Sequence, residues 1–145
     1  INFAIMIDIK IYNNSNLPRI PRKKIESAVR AGLAGEKCKE AEIRITYDTD
    51  EVIHQLNREY LGHDYPTDVI TFPLEERPLE GEIYISADTA ALQAEEYNET
   101  LNDVLIRLAI HGALHLVGYY DDTDEKKSKM NALETHYMTV AKSTA

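Results

Sequence analysis

The chain has 145 residues, of which 43% are hydrophobic, and its net charge is −9. This length and composition predict one soluble domain over residues 1–145, and no apolar stretch approaches the roughly 18 residues that a membrane helix needs. A single cysteine excludes an internal disulfide and suits a reducing compartment, so we expect the protein in the cytoplasm, without a membrane partner.

The first part of the chain alternates between strand and helix patterns. Apolar residues at every second position predict strands over residues 5–11 and 41–47. Apolar residues at helical spacing predict a helix over residues 21–33. A second helix opens with Thr49 and the acidic residues Asp50 and Glu51, and it ends at Gly62.

Two more strands and three helices complete the order. Runs of β-branched and aromatic residues predict strands at 66–73 and 81–86, and Pro73 places the first of them at a sheet edge. The helices that follow are a short alanine-rich one over 86–97, a long apolar one over 100–118 and a last one from residue 123. The order β-α-β-α-β-β-α-α-α predicts an α+β domain with a mixed sheet of about four strands and about five helices.

The long apolar helix carries two histidines on one face. Residues at steps of three and four form a single stripe, which consists of Leu101, Val104, Leu108, His111 and His115. Apolar residues fill much of the remaining circumference, so this helix should be central and buried. Two imidazoles four residues apart are close enough to bind one ion, which predicts a zincin-like metal helix.

A third ligand must come from outside this helix. Gly118 reverses the chain just after His115, and the reversal can return Asp121 to the ion, with Asp122 as the reserve candidate. The alternative is that both histidines are hydrogen-bonded core residues and that Asp121 caps a turn. A metal satisfies four buried ring nitrogens more simply than a polar network does. We therefore predict metal ligands at His111, His115 and Asp121.

Three protein ligands leave one coordination position open. We expect one Zn²⁺ per chain, unless another divalent transition metal replaces it. In such a site Zn²⁺ lowers the pKa of a bound water to about 7 and supports hydrolysis. Metzincin proteases share this ligand spacing but have a glutamate base directly after the first histidine. This chain has Gly112 there. A metallopeptidase would need a base from elsewhere, and it stays as an alternative.

The motif that carries these ligands resembles the signature of a known family. Residues 111–119 are His-Gly-Ala-Leu-His-Leu-Val-Gly-Tyr, which is similar to the H-G-x-L-H-L-x-G-Y-D-H signature of the YbeY family of bacterial metal-dependent endoribonucleases. A second stretch, residues 57–69, ends in Pro-Thr-Asp-Val and is similar to a segment of the same family. With residues 81–86, the resemblance covers most of residues 57–122.

The resemblance implies cleavage of single-stranded ribosomal RNA on ribosomal particles, in ribosome maturation and quality control. A net charge of −9 repels RNA, so binding requires a local basic surface. Residues 1–47 have a net charge of +4, whereas residues 48–145 have −13. We predict RNA contacts at Arg22, Lys23 and Lys24 on the first helix, although such a run is often only a solvated face.

The chain departs from the family pattern at the site itself. Asp121 stands where the signature has its third histidine, and Tyr120 stands where it has aspartate. Family members commonly have an active-site arginine where this chain has Leu61. Arg58, one helical turn earlier, is the candidate replacement, unless it is an ordinary surface arginine. A non-catalytic ribosome-associated protein is the remaining alternative, and its structural metal would need four protein ligands.

Overall fold

The computed structural model describes residues 5–143, which form five helices and four strands in the predicted order. The elements are β1 (Met6–Asn13), α1 (Arg22–Gly35), β2 (Glu40–Asp48), α2 (Asp50–Leu61), β3 (Val69–Glu75), β4 (Leu79–Ser86), α3 (Ala87–Glu96), α4 (Leu101–Leu116) and α5 (Asp124–Ser143). Strand β3 begins three residues later than predicted. The side chain just before it, Asp68, is hydrogen-bonded to α3 through Gln93.

The four strands form one mixed sheet in the order β1-β2-β4-β3. β1, β2 and β4 are parallel, and β3 runs antiparallel to β4. β3 is therefore an edge strand, as Pro73 predicted. The proline pairs with Gly81, and the ladder becomes irregular between Pro73 and Glu75. The predicted fold class and strand number are confirmed.

Helix α4 lies at the centre of the core. Nine of its residues are buried, and helices α1, α3 and α5 pack against it. Thr100 caps its first turn by accepting a hydrogen bond from the Asp103 N–H. The helix ends at Leu116, and Gly118 then adopts a φ of +105°, a conformation that glycine tolerates better than any other residue. This glycine lets the chain reverse.

Glycine 112 lets α4 lie directly on the sheet. A Cβ at this position would be 2.6 Å from Ile83 Cγ2 on β4. Gly81 on β4 has the same effect beneath Leu116, whose Cδ1 would be 2.7 Å from an added Cβ. Larger residues at either glycine would push helix and sheet apart. The two glycines therefore set the height of the last turns of α4 above the sheet.

The helices also bear on the question of a membrane. Among the residues from 5 to 143, the structure contains no helix that is long and apolar enough to cross a bilayer.

Candidate metal centre

His111 and His115 lie side by side near the end of α4. Their Nε2 atoms are 2.9 Å apart. After Gly118 the chain returns, and Asp121 places Oδ2 3.5 Å from His111 Nε2 and Oδ1 3.7 Å from His115 Nε2. The structure thus brings together the three residues predicted as metal ligands.

The three side chains fit a metal ion. Tetrahedral bonds of 2.0–2.1 Å separate ligand atoms by about 3.3–3.4 Å. The carboxylate distances of 3.5 and 3.7 Å are close to that value, and a small opening of the two rings brings their 2.9 Å separation to it. All three donor atoms lie within 4.8 Å of one another. The reserve candidate, Asp122, instead pairs with Lys126 at 3.2 Å.

A buried carboxylate that the sequence analysis did not single out orients His111. Glu134 of α5 is 7% exposed, and its Oε2 lies 2.7 Å from His111 Nδ1. Its Oε1 accepts a hydrogen bond from Arg107 at 3.1 Å. A carboxylate on Nδ1 keeps the proton on that nitrogen and leaves Nε2 free for a metal. Helical spacing is the sequence signal that indicates a buried Glu134, because this residue shares a buried stripe of α5 with Met130 and Tyr137.

The two histidines differ in their affinity for a proton. Burial alone would lower the pKa of His111, but the hydrogen bond to Glu134 and the charges of Glu134 and Asp121 outweigh it and raise that pKa above 6.5. Burial and the neighbouring His111 lower the pKa of His115. A neutral His115 offers a free lone pair. The carboxylates around His111 stabilise positive charge, whether it comes from a proton or from a metal ion.

The turn that carries Asp121 is tied to two other elements. Glu36, which follows α1, accepts hydrogen bonds from the hydroxyls of Tyr119 in the turn and Tyr137 on α5. Burial and the Glu36 contact raise the pKa of Tyr137, so its hydroxyl stays protonated and donates. The Lys129 ammonium lies 5.5 Å from the centre of the Tyr119 ring. Asp121, the predicted carboxylate ligand, therefore projects from a turn that is held in place by these contacts.

An open cleft of about 760 Å³ borders His115. His115 and Tyr120 line one side of it. Residues 36–38, between α1 and β2, and residues of β3 that include Thr71 line the rest. His115 is 20% exposed in its side chain, so a molecule in the cleft can reach the ligand group.

Comparison with known proteins identifies the family. The model of the Endoribonuclease YbeY family matches residues 10–142. The chain belongs to the YbeY family. It is 42% identical to the Endoribonuclease YbeY of Chloroherpeton thalassium over 120 residues, which are 82% of this chain and 85% of that protein. It is 37% identical to the Endoribonuclease YbeY of Bacillus subtilis over 141 residues, covering 88% and 89% of the two chains.

A solved structure has the same fold. The solution structure of a Thermotoga maritima protein superimposes with a TM-score of 0.64 at 29% sequence identity, and the match covers 92% of this chain and 88% of that one. The predicted YbeY family is therefore confirmed, and so is the predicted enzyme class, a hydrolytic nuclease.

Asp68, in the second YbeY-like stretch (residues 57–69), lies near the predicted ligands. The Ser86 N–H donates to the Asp68 carbonyl at 2.9 Å, and Gln93 Nε2 donates to the Asp68 carboxylate at 3.0 Å. The charge of Asp68 contributes to the raised pKa of His111. The Pro-Thr-Asp-Val motif by itself does not indicate a role for Asp68. The structure places its carboxylate within electrostatic range of the site.

Arg58, the candidate replacement for the arginine that YbeY proteins commonly have, lies in the last turn of α2. Its guanidinium is 3.8 Å from the Asp64 carboxylate, and its side chain is 55% exposed. His54 also contacts Asp64, at 2.9 Å. Tyr60, two residues on, packs edge-on against Phe72 of β3. Along β3, Phe72 alternates with residues that face α4, so the Phe72 side chain lies on the opposite face of the sheet. Tyr60 packs against Phe72 and therefore lies on that face as well.

The basic run of the first helix lies at the other end of α4. Lys23 and Lys24 line a depression with Asn102 and Asp103, in the first turn of that helix. Asp103 precedes His111 by eight residues, which is about 12 Å along a helix axis. Arg22 donates a hydrogen bond to the Ile11 carbonyl of β1. The structure does not bring these residues to the predicted metal ligands.

Proposed function

We propose that this YbeY-family protein cleaves single-stranded ribosomal RNA during ribosome maturation and quality control, with a zinc ion held by His111, His115 and Asp121. The observation that carries the proposal is the triangle formed by these three side chains beside an open cleft. Three ligands leave one coordination position for water or substrate. The name Endoribonuclease YbeY, shared by the matching family and the relatives, supports RNA as the substrate.

Zinc held in this group supplies a Lewis acid at the phosphodiester and a water of lowered pKa. The protein's own residues prepare the group. Glu134 fixes the tautomer and ring orientation of His111, and Arg107 holds Glu134. The Tyr119 hydroxyl, bound to Glu36, braces the turn that presents Asp121. The site is therefore preorganised before the substrate arrives.

The geometry argues against a metallopeptidase. In metzincins a glutamate base follows the first histidine. In this protein the corresponding Gly112 is pressed against Ile83, and even a Cβ would lie 2.6 Å from Ile83 Cγ2. A glutamate at this position would separate α4 from the sheet.

Two further assignments belong to the proposal. Arg58 is proposed to contribute positive charge in place of the arginine lost at Leu61. Arg22, Lys23 and Lys24 are proposed to contact RNA away from the site of cleavage, on ribosomal particles in the cytoplasm. The net charge of −9 makes such a local basic surface necessary.

The test is a cleavage assay with matched substrates. Purified protein is incubated with single-stranded RNA, double-stranded RNA and an unfolded protein, each with chelator and after zinc is restored. We expect zinc-dependent cleavage of the single strand only. Metal content and ligand number, measured by elemental analysis and X-ray absorption, should give one ion with three protein ligands. Proteolysis without RNA cleavage, or four protein ligands, would contradict the proposal.

A further inference from the structure

Tyr120 is an exposed aromatic residue directly before the ligand Asp121. It is 60% exposed, and the centre of its ring is 6.1 Å from that of His115. It lines the same cleft as His115. The YbeY signature has aspartate at this position, so the family pattern does not account for the ring. A large ring exposed at the edge of a metal group leaves its face available to a planar ligand.

The chemistry of single-stranded RNA fits such a surface. Proteins that hold single strands stack bases on aromatic side chains and contact the backbone with basic ones. Lys37, in the turn between α1 and β2, is exposed and lines the same cleft as Tyr120. One cleft thus offers an aromatic face, a positive charge and access to His115, one of the predicted ligands.

We propose that Tyr120 stacks on the base of a nucleotide next to the cleavage site and that Lys37 contacts a phosphate of the same strand. This inference rests on the proposed function, because it assumes that RNA enters this cleft. It assigns a nucleotide subsite to two side chains of this chain.

The charges around the cleft restrict how the strand lies. Three glutamates also line it. Glu36 is occupied by the hydroxyls of Tyr119 and Tyr137. Glu75 is the last residue of β3, and Glu76 follows it; both repel phosphate and leave Lys37 for the RNA backbone. An uncharged base carries no such penalty and can occupy the space over Tyr120.

The test compares aromatic with non-aromatic side chains at position 120. Zinc-loaded Tyr120→Phe, Tyr120→Leu and Tyr120→Asp are titrated with a short single-stranded RNA that contains 2-aminopurine, a base whose fluorescence falls when it is stacked. Tyr97→Leu is the matched control, because Tyr97 is 63% exposed and ends α3. Metal content is measured for every variant, and a gel confirms that the RNA is intact.

We expect the phenylalanine variant to keep the parent's affinity and quenching. The leucine and aspartate variants should lose about 5- to 100-fold in affinity, together with the quenching, at unchanged metal content. In cleavage assays they should raise KM and leave kcat nearly unchanged. Lys37→Gln should flatten the slope of log K against log salt by about 0.7, whereas the Tyr120 variants should leave that slope alone.

The outcomes separate this inference from the proposed function. Parental affinity and quenching in both Tyr120→Leu and Tyr120→Asp would overturn the stacking role, even if the protein cleaves RNA. A parent that binds and quenches the strand but never cuts it would refute the endoribonuclease proposal and leave the stacking role standing. Equal losses of RNA affinity in Tyr120→Phe and Tyr120→Leu would also overturn the stacking role, because the aromatic ring would then not be the cause of the binding.

Discussion

The end of α4 and the end of α2 both carry residues that the family resemblance singled out, but the structure supports them very differently. At the end of α4, His111 is held by the buried Glu134, and Gly112 fixes the helix on the sheet. At the end of α2, Arg58 is 55% exposed and faces Asp64, whose side chain is 72% exposed, at 3.8 Å. A side chain fixed by buried partners keeps one geometry, whereas an exposed ion pair contributes little and moves readily. We therefore expect substitutions at the first region to have much larger effects.

The largest effect should come from the ligands. His111→Ala and His115→Ala should each lower zinc affinity more than about 100-fold and abolish RNA cleavage, since a ligand is worth more than the 10- to 100-fold of an outer-shell partner. Asp121→Asn should weaken binding less, because an amide oxygen is still a poor ligand. Asp121→His should be tolerated, because it restores the family signature. Elemental analysis measures all four, and full metal content in His115→Ala would end the metal-site interpretation.

Glu134→Gln should have the next largest effect. An amide no longer enforces the His111 tautomer, so zinc affinity should fall about 10- to 100-fold. The matched control is Glu125→Gln in the exposed first turn of α5. Competition with a zinc-binding dye gives both affinities. If the two variants bind zinc equally well, Glu134 has only a structural role.

Arg58 tests the end of α2, the second region of the comparison. If it replaces the arginine lost at Leu61, Arg58→Ala should reduce kcat/KM a few-fold, at unchanged metal content and melting temperature. Leu61→Arg is the companion variant, and a higher rate there would indicate a naturally weakened site. Equal rates in Arg58→Ala and the parent would return Arg58 to the solvated surface.

The smallest effect should come from the basic run. Replacing Arg22, Lys23 and Lys24 by glutamine should flatten the slope of log K against log salt by about 2, since each contact with a single strand contributes roughly 0.7. Metal content and kcat should not change, because Lys23 and Lys24 lie at the far end of α4 and Arg22 is hydrogen-bonded to β1. A triple variant with the parent's affinity and salt slope would show that the run is only a solvated face.

Periodicity predicts the elements and brings His111 and His115 to one helix face, and Pro73 predicts the edge position of β3, because all of these depend on local sequence. The return of Asp121 to the histidines could be predicted from Gly118, since a chain reversal just after a helix involves only residues close in sequence. Glu134 was not singled out, because its partners are 23 and 27 residues away in sequence. The placement of Lys23 and Lys24 depends on how α1 packs beside α4, which spacing within one helix cannot specify.

The hydrogen bonds of Glu36 have a consequence for the order in which the protein matures. During synthesis α4 emerges before α5, so both histidines are made before Glu134 and Tyr137. Until α5 packs, the His111 ring lacks its orienting carboxylate, and Glu36 can bind Tyr119 but not Tyr137. The side chains that surround the predicted metal group are therefore complete only after α5, the last element of the chain order, has packed on α4.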